Sequence, residues 1–246
     1  MNVNLSVESY RGADGSSLSP VRCSQMVKVY EMLETMGNDV ISYVDIQEEA
    51  ARRKLFGNTK AKNAIRTFFP LLKKLDFVNY DGVFAANKCF TELGTQFVLA
   101  CRALKNVADD TPHKDKIISK LKSIKRNAQQ KGLVNMKNDP EWSSHNMWIA
   151  LKLLKRFKIL HWKEFLYTLH CIENGETIED AIRKIEADKK NIDNIVFLNE
   201  ANNVLPNTCY SYIRSFLEEA GLITKVSPLE SKLLDDSDVF FSQIEL

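Results

Sequence analysis

One local pattern occurs twice in this chain of 246 residues. An amphipathic helix is followed by a stop, a segment rich in β-branched residues and a turn. The first copy is FFPLLKKLDFVNYDG and the second is SYIRSFLEEAGLITKVSP. A helical period that gives way to β-branched residues and turn signals is typical of a helix that leads into a hairpin. The repeat therefore predicts two small domains of one kind, mainly α with short β-hairpins.

The first copy begins in the third of three predicted helices. An earlier helix covers 24–36, and Asp45 with Glu48 form a capping-box pattern at the start of the second, with Asp45 as the cap. The third helix covers 59–75, and Pro70 inside it predicts a bend in its last turn. Apolar residues at helical spacing predict its buried stripe, which consists of Ala61, Ala64, Ile65, Phe68, Leu71, Leu72 and Leu75.

A hairpin and a further helix follow the third helix. FVNY and VFAA are predicted to be short strands joined by Asp81-Gly82, a dipeptide favoured in tight turns. The order helix, helix, helix, hairpin, helix is that of a winged helix, and the second copy, with LITKV and LESKLL as its hairpin, predicts another. The predicted organisation is a flexible arm at 1–20, winged-helix domains at 21–106 and 145–240, a basic helical linker at 107–144, and a tail at 241–246.

Charge is unevenly distributed, although the formal net charge is only +2. Every charged residue between Asn58 and Lys74 is basic, and further basic clusters lie at 114–131 and 152–163. The last residues, 230–246, are mostly acidic. Basic clusters on separate elements suit a polyanion, although each is also compatible with an ordinary solvated helix.

Helix three and its hairpin predict double-stranded DNA as the partner. A helix fits the major groove, base contacts usually begin near its N-terminal end, and a hairpin beside it reaches the backbone or the neighbouring groove. Asn63 and Arg66 suit adenine and guanine, respectively. A winged helix that contacts only protein is the alternative. The candidate DNA-contacting residues are Asn58, Thr59, Lys60, Lys62, Asn63, Arg66 and Thr67 in the first domain, Lys120, Lys122, Lys125 and Arg126 in the linker, and Asn207, Thr208, Tyr210, Ser211 and Arg214 in the second domain.

Several stretches resemble a known family. NTKAKNAIRTFFPLLKKLDFVNYDGVFAANKCFTELGTQFV is similar to the first wing unit in the N-terminal recognition region of type IIS restriction and strand-nicking endonucleases, and TCYSYIRSFLEEAGLITKV resembles the second. The resemblance spans about Lys54 to Asp236 and consists of apolar pattern and element order. It implies a module that finds an asymmetric DNA sequence, while a separate C-terminal domain cuts at a distance.

The cutting chemistry of that family is not predicted in this chain. The family's nuclease domain holds a divalent metal with an acidic residue and an (Asp/Glu)-x-Lys pair on adjacent strands. The nearest match, Asp188-Lys189-Lys190, falls in a helical charge run with no strand before it. We therefore expect no catalytic, cofactor or metal residues here, with Mg²⁺ only in a separate nuclease domain or catalytic subunit. The chain is then a recognition subunit, a truncated enzyme or a domain of one.

Membrane and secretory classes are not supported. No apolar run approaches the ~20 residues of a membrane span, and the N-terminus lacks a signal-peptide core. We expect a cytoplasmic protein without a small-molecule substrate. Its scattered cysteines are predicted to be buried thiols: Cys23, Cys89, Cys101, Cys171 and Cys209.

Two further questions stay open at this point. Trp142, Trp148 and Trp162 are expected in the core, with stacking on an unpaired base as the alternative. A tandem winged-helix regulator of transcription or plasmid replication and a protein-binding scaffold are the alternative functions.

Overall fold

The computed structural model describes residues 3–9, 18–57, 60–139 and 145–244, without the side chains of Thr208 and Cys209. In these ranges the chain is mainly helical with a few short strands, as predicted. No helix among them is long and apolar enough to cross a membrane. The helices are α1 (Pro20–Met36), α2 (Tyr43–Arg52), α3 (Ala61–Lys74), α4 (Glu92–Asn106), α5 (Lys114–Met136), α6 (Asn146–Phe157), α7 (Trp162–Glu173), α8 (Ile178–Ala187), α9 (Lys189–Ile192), α10 (Ser211–Glu219) and α11 (Asp238–Ile244). The strands are β1 (Val3–Ser6), β2 (Val40–Ser42), β3 (Val83–Ala85), β4 (Ile159–His161), β5 (Ile195–Leu198), β6 (Ile223–Lys225) and β7 (Glu230–Leu233).

The chain divides into two compact units. The contiguous unit is Gly15–Pro140, and the two-segment unit combines Met1–Asp14 with Glu141–Leu246. Two units were predicted, but their boundaries differ from the prediction. The linker helix α5 belongs to the contiguous unit, and the N-terminal strand β1 belongs to the two-segment unit.

Capping side chains set the starts of α1 and α2. The Ser19 hydroxyl accepts a hydrogen bond from the Arg22 amide, and Pro20 takes a first-turn position where no amide partner is needed. α2 begins after Ser42, which forms a capping box with Asp45. The prediction that Asp45 is itself the cap is wrong by three positions, because its carboxylate reaches back to the Ser42 amide (2.7 Å).

The predicted buried stripe of α3 is confirmed, since each of its seven residues is at most 5% exposed. The helix continues through Pro70 as one element. Pro70 is exposed and has no amide proton, so the carbonyl of Arg66 lacks its usual helical donor. α3 therefore keeps one side in the core and presents the other to solvent.

Strand pairing in the contiguous unit differs from the predicted hairpin. β3 pairs antiparallel with β2 rather than with the residues that precede Asp81-Gly82. Before that turn, Val78 forms an isolated bridge with Phe90. Phe77 is fully buried and packs on Phe97, with ring centroids 4.9 Å apart. The segment before the turn thus follows the core, which leaves β3 to pair with β2.

The prediction that α5 lies in a separate linker is wrong. α5 packs against α4 and also contacts α3. A Cβ atom on Gly132 would lie 3.0 Å from the Leu75 carbonyl oxygen, so the two backbones approach closely. On α4, a Cβ atom on Gly94 would lie only 1.9 Å from the Phe77 carbonyl oxygen. These small residues allow both helices to pack tightly against the end of α3 and the segment that follows it.

The two-segment unit contains a three-stranded antiparallel sheet in the order β4–β7–β6. The second predicted hairpin is confirmed as β6 and β7, with Ile223 opposite Leu233. β4 leads directly into α7, whose start is capped by His161 and Glu164. Phe165 of α7 and Phe216 of α10 are fully buried, and these helices contact β4 and β6, respectively.

The N-terminal arm is not irregular where the structure describes it. β1 pairs in parallel with β5, with Val3 opposite Ile195. The Glu173 carboxylate accepts hydrogen bonds from the Glu8 amide (2.9 Å) and the Ser9 amide (2.6 Å). The expected flexible arm is therefore wrong for 3–9.

The cysteine prediction is confirmed for four residues. Cys23, Cys89, Cys101 and Cys171 are buried. Burial raises the pKa of the Cys89 thiol to about 12 and that of Cys171 to about 11. The side chain of Cys209 lies outside the described residues.

Candidate nucleic-acid interface

The exposed side of α3 brings together most of the residues predicted in the first domain. We call this set the α3 surface: Lys60, Lys62, Asn63, Arg66 and Thr67, all exposed. Lys60 precedes the first turn and the other four lie on the helix. Asn58 and Thr59 lie outside the described residues.

The α3 surface is basic and only partly neutralised. Lys62 Nζ lies 3.3 Å from Glu48 Oε1, and both side chains are at least half exposed. Exposed ion pairs of this kind contribute little and exchange readily for another anion. Among the described residues, neither Lys60 nor Arg66 forms an ion pair. The Thr67 hydroxyl donates to the Asn63 carbonyl oxygen (2.7 Å), which holds that side chain against the helix.

Two tyrosines that the sequence patterns did not single out lie beside the α3 surface. Tyr43 and Tyr80 stack with ring centroids 4.5 Å apart and an interplanar angle of 22°. Burial raises the pKa of Tyr43 to about 12, and the nearby charge of Arg66 acts in the opposite direction. Both rings are half-buried and stay protonated at neutral pH. Because the two tyrosines lie far apart in the sequence, no local periodic pattern includes both of them.

The turn at Asp81-Gly82 is tied to the end of α3. Lys73 forms an ion pair with Asp81, and its Nζ lies 5.2 Å from the Tyr80 ring centroid. Gly82 adopts a φ of +66°, which few side chains tolerate. The turn is thus held beside the helix by one lysine that contacts both a carboxylate and an aromatic face.

α5 carries a second set of exposed bases. The α5 basic face consists of Lys116, Lys120, Lys122 and Arg126, which spread over roughly half of the helix circumference. Within the part of the chain that the structure describes, none of these four forms an ion pair. Lys125 is different: it is 9% exposed, and its Nζ lies 6.0 Å from the Phe97 ring centroid. Lys125 was predicted to contact DNA, but its side chain is nearly buried, because position 125 lies on the side of α5 that packs against α4.

The residues predicted in the second domain separate in the structure. Asn207 is exposed and Ser211 is half-buried, whereas the side chain of Thr208 lies outside the described residues. Tyr210, a candidate DNA contact, is 1% exposed and packs against Phe165, with ring centroids 5.1 Å apart, so its ring is not available to DNA at the surface. Tyr210 follows the apolar period of α10, which accounts for its burial.

Arg214 is engaged within the protein. Its Nη1 donates to the carbonyl oxygens of Ser227 (3.2 Å) and Pro228 (2.5 Å), in the turn between β6 and β7. Arg214 therefore joins α10 to that turn and has fewer donors available for a base edge. Lys225 on β6 pairs with Glu218, so α10 itself presents little net positive charge.

Two bases of the cluster at 152–163 form ion pairs with acids of α8. Lys152 pairs with Glu179, and Arg156 Nε lies 2.7 Å from Glu186 Oε1. These hydrogen bonds lower the pKa of both carboxyl groups. Lys163 donates to the Asp193 carbonyl oxygen. Part of this cluster is thus held in intramolecular ion pairs. The sequence did not reveal them, because Glu179 and Glu186 lie on α8, two helices further along the chain than α6.

The described residues contain no group of three or more His, Cys, Asp or Glu side chains that could hold a metal ion. Asp188, the acid of the nearest nuclease-like triplet, ends α8 and accepts a hydrogen bond from the Asn191 side chain. Its role in the structure is local, at the junction of α8 and α9.

Comparison of the chain with protein-family models, with curated proteins and with solved structures finds no significant match.

Proposed function

We propose that this chain is a tandem winged-helix module that recognises a specific double-stranded DNA sequence for a restriction or nicking system, with cleavage by a separate domain or subunit. The α3 surface carries the proposal. It places an arginine, an asparagine and two lysines on the exposed side of a helix whose other side is buried. Arginine and asparagine are the side chains best suited to guanine and adenine in the major groove.

Element order supports the winged-helix assignment in both units. The contiguous unit runs α1, β2, α2, α3, β3, and the two-segment unit runs α6, β4, α7, then α8, α9 and β5, and finally α10, β6 and β7. In each unit a short strand between the first two helices pairs with a strand that follows the recognition helix. The restriction assignment rests on the sequence resemblance over about Lys54 to Asp236.

The α5 basic face supplies the phosphate contacts in this proposal. Its four exposed bases have no acidic partners among the described residues, so a phosphate need not displace an internal carboxylate. Each neutralised phosphate releases condensed counterions, which makes binding steeply dependent on salt. Phosphate contacts of this kind position the module and leave sequence reading to the α3 surface.

A protein-binding surface is the second candidate, and it applies to the two-segment unit. Tyr212 on α10 is 60% exposed and Val226 in the β6–β7 turn is 54% exposed. Exposed apolar residues beside a helix of little net charge favour a protein contact over a phosphate contact. The contiguous unit would then supply most of the DNA affinity.

Salt-dependent binding of a labelled random duplex tests the DNA proposal. The affinity should fall linearly in log K against log salt, with a slope that reports several phosphate contacts. Arg66→Ala should weaken binding to the preferred duplex, whereas Tyr212→Ala should leave it unchanged. A chain that does not bind duplex at low salt, while Tyr212→Ala disrupts capture of a protein partner, would favour the scaffold.

A further inference from the structure

We propose that a cavity between the start of α7, β5 and the β6–β7 turn, in the two-segment unit, binds a nucleobase. The cavity has a volume of about 550 Å³ and is defined here as the Trp162 cavity, lined among others by Trp162, Phe197, Val204, Asn207 and Leu229. The volume lies within the range of about 300–1,000 Å³ that small-ligand sites occupy. This inference rests on the proposed function for the case in which the base belongs to DNA.

The lining comes from two pairs of segments, and a backbone hydrogen bond joins the members of each pair. The Trp162 amide donates to the Leu229 carbonyl oxygen (3.0 Å), which joins the start of α7 to the β6–β7 turn. The Leu205 amide donates to the Phe197 carbonyl oxygen (2.8 Å), which joins β5 to the chain that leads into α10. Because these hydrogen bonds hold each pair of segments together, the cavity is formed without a ligand.

Exposed apolar side chains make the cavity receptive to a flat, uncharged group. Val204 is 67% exposed and Leu229 is 37% exposed, so each presents apolar surface to solvent. The half-buried indole of Trp162 adds an aromatic face. Aromatic and apolar side chains are the surfaces on which unpaired bases stack.

The polar groups in the lining balance in charge. Lys163 and Asp193 both line the cavity, and the Lys163 ammonium already donates to the Asp193 carbonyl oxygen. Lys163 and Asp193 carry opposite charges, so the lining offers no net positive charge to a phosphate. This arrangement favours a neutral heterocycle over an anion.

His161 and Asn207 supply hydrogen-bonding groups suited to a base edge. His161 Nδ1 accepts a hydrogen bond from the Lys163 amide (3.3 Å), so in the neutral ring the proton lies on Nε2. Burial lowers the pKa of His161, which keeps the ring neutral at physiological pH. Asn207 is exposed and its carboxamide offers both a donor and an acceptor. Flipped and single-stranded bases are read by such groups together with stacking.

The test compares two labelled oligomers of equal length, a single-stranded oligodeoxynucleotide and an abasic strand that keeps the phosphates. We expect the base-bearing strand to bind about tenfold more tightly, since one stacked base contributes that order of affinity. Trp162→Ala should abolish the difference, and Trp162→Phe, which retains a ring, should keep most of it. Equal affinities for the two strands would overturn the proposal.

Matched surface variants guard against loss of folding. Val204→Gln should reduce the preference for the base-bearing strand about threefold. Val239→Gln, at a position on α11 that is 71% exposed and outside the cavity lining, should not change it. If Val204→Gln and Val239→Gln behave alike while both remain folded by circular dichroism, the cavity does not bind the base.

Two further arms distinguish the source of the base and the two proposals. Competition by free deoxynucleosides supports a free ligand, whereas competition only by base-bearing strands supports an unpaired base in DNA. Arg66→Ala should weaken duplex binding and leave the base preference intact. If the parent chain binds duplex but does not prefer the base-bearing strand, this inference alone is wrong. If the parent chain prefers the base-bearing strand but does not bind duplex, only the proposed function is wrong.

Discussion

Arg214 Nη1 lies 2.5 Å from the carbonyl oxygen of Pro228, and this contact fastens α10 to the turn between β6 and β7. An arginine that was predicted to contact DNA thereby holds two elements of the fold together. Because the guanidinium donor is charged, this hydrogen bond stabilises the fold more than a hydrogen bond between neutral groups would.

We expect Arg214→Ala to lower the free energy of unfolding by about 1 kcal/mol, because the variant cannot form the charged hydrogen bonds to the turn. Lys232→Ala is the control, since it removes one positive charge from an exposed position in the same sheet. Chemical denaturation measures both. If the two variants are equally stable, the contact to the turn contributes nothing and Arg214 is available to DNA.

Arg66→Ala tests base reading by the α3 surface. The variant should lose about 1–3 kcal/mol of binding free energy on the preferred duplex and lose discrimination at one base pair. Arg102→Ala, a loss of one arginine from α4, is the comparison and should bind as the parent does. A uniform loss on every sequence would instead mean that Arg66 contacts only phosphate.

Lys120 and Lys122 test the phosphate contacts of the α5 basic face. Replacing both with Ala should reduce the slope of log K against log salt by about 0.9 for each phosphate that is no longer neutralised. The double variant of Lys152 and Arg156 removes the same charge from residues already paired with Glu179 and Glu186. That control should keep the parental slope, and a slope unchanged in both would remove α5 from the interface.

Gly94 is the position where the fold tolerates least change. Gly94→Ala should destabilise the chain by about 1–3 kcal/mol, because its Cβ would overlap the Phe77 carbonyl oxygen. Gly132→Ala meets Leu75 at 3.0 Å and should be milder. Thermal unfolding ranks the two, and equal stabilities would contradict the close approach at Gly94.

Glu49 makes stability depend on pH in the acid range. Hydrogen bonds from Arg52 and Arg53 lower its pKa to about 2 in the folded chain. A depressed pKa stabilises the fold above the unfolded value and loses that contribution as the pH falls toward the folded value. Glu49→Gln should therefore lower the melting temperature at neutral pH and lower it much less near pH ~2. Glu31→Gln, at an exposed position on α1, is the control and should match the parent at both.

Local patterns predicted the apolar face of α3 and the β6–β7 hairpin, because helical period and turn chemistry act over a few residues. They did not predict that β1 pairs with β5, since that pairing joins segments far apart in the chain. Lys125 shows the same limit on the surface. Its neighbours Lys122 and Arg126 are exposed, and only the packing of α5 against α4 separates it from them.

Acids that lie far away in sequence also pair with bases that appear unpaired in the sequence. The bases at 152–163 resemble those of α5 in composition, yet Glu179 and Glu186 from α8 pair with two of them. Tyr210 was a candidate DNA-contacting residue, yet it continues the apolar period of α10 and is buried in the core. The cavity beside Trp162 could not be predicted, because α7, β5 and the β6–β7 turn meet only in the folded chain.

Selection of bound duplexes from a random pool tests whether this chain recognises one DNA sequence. The purified chain is mixed with the pool at moderate salt, and bound duplexes are recovered and sequenced over successive rounds. Sequence-specific recognition predicts enrichment of one asymmetric sequence, and Arg66→Ala should relax the preference at a single position of that sequence. Recovery of duplexes with no shared sequence, from a chain that is folded and binds them, would contradict sequence-specific recognition.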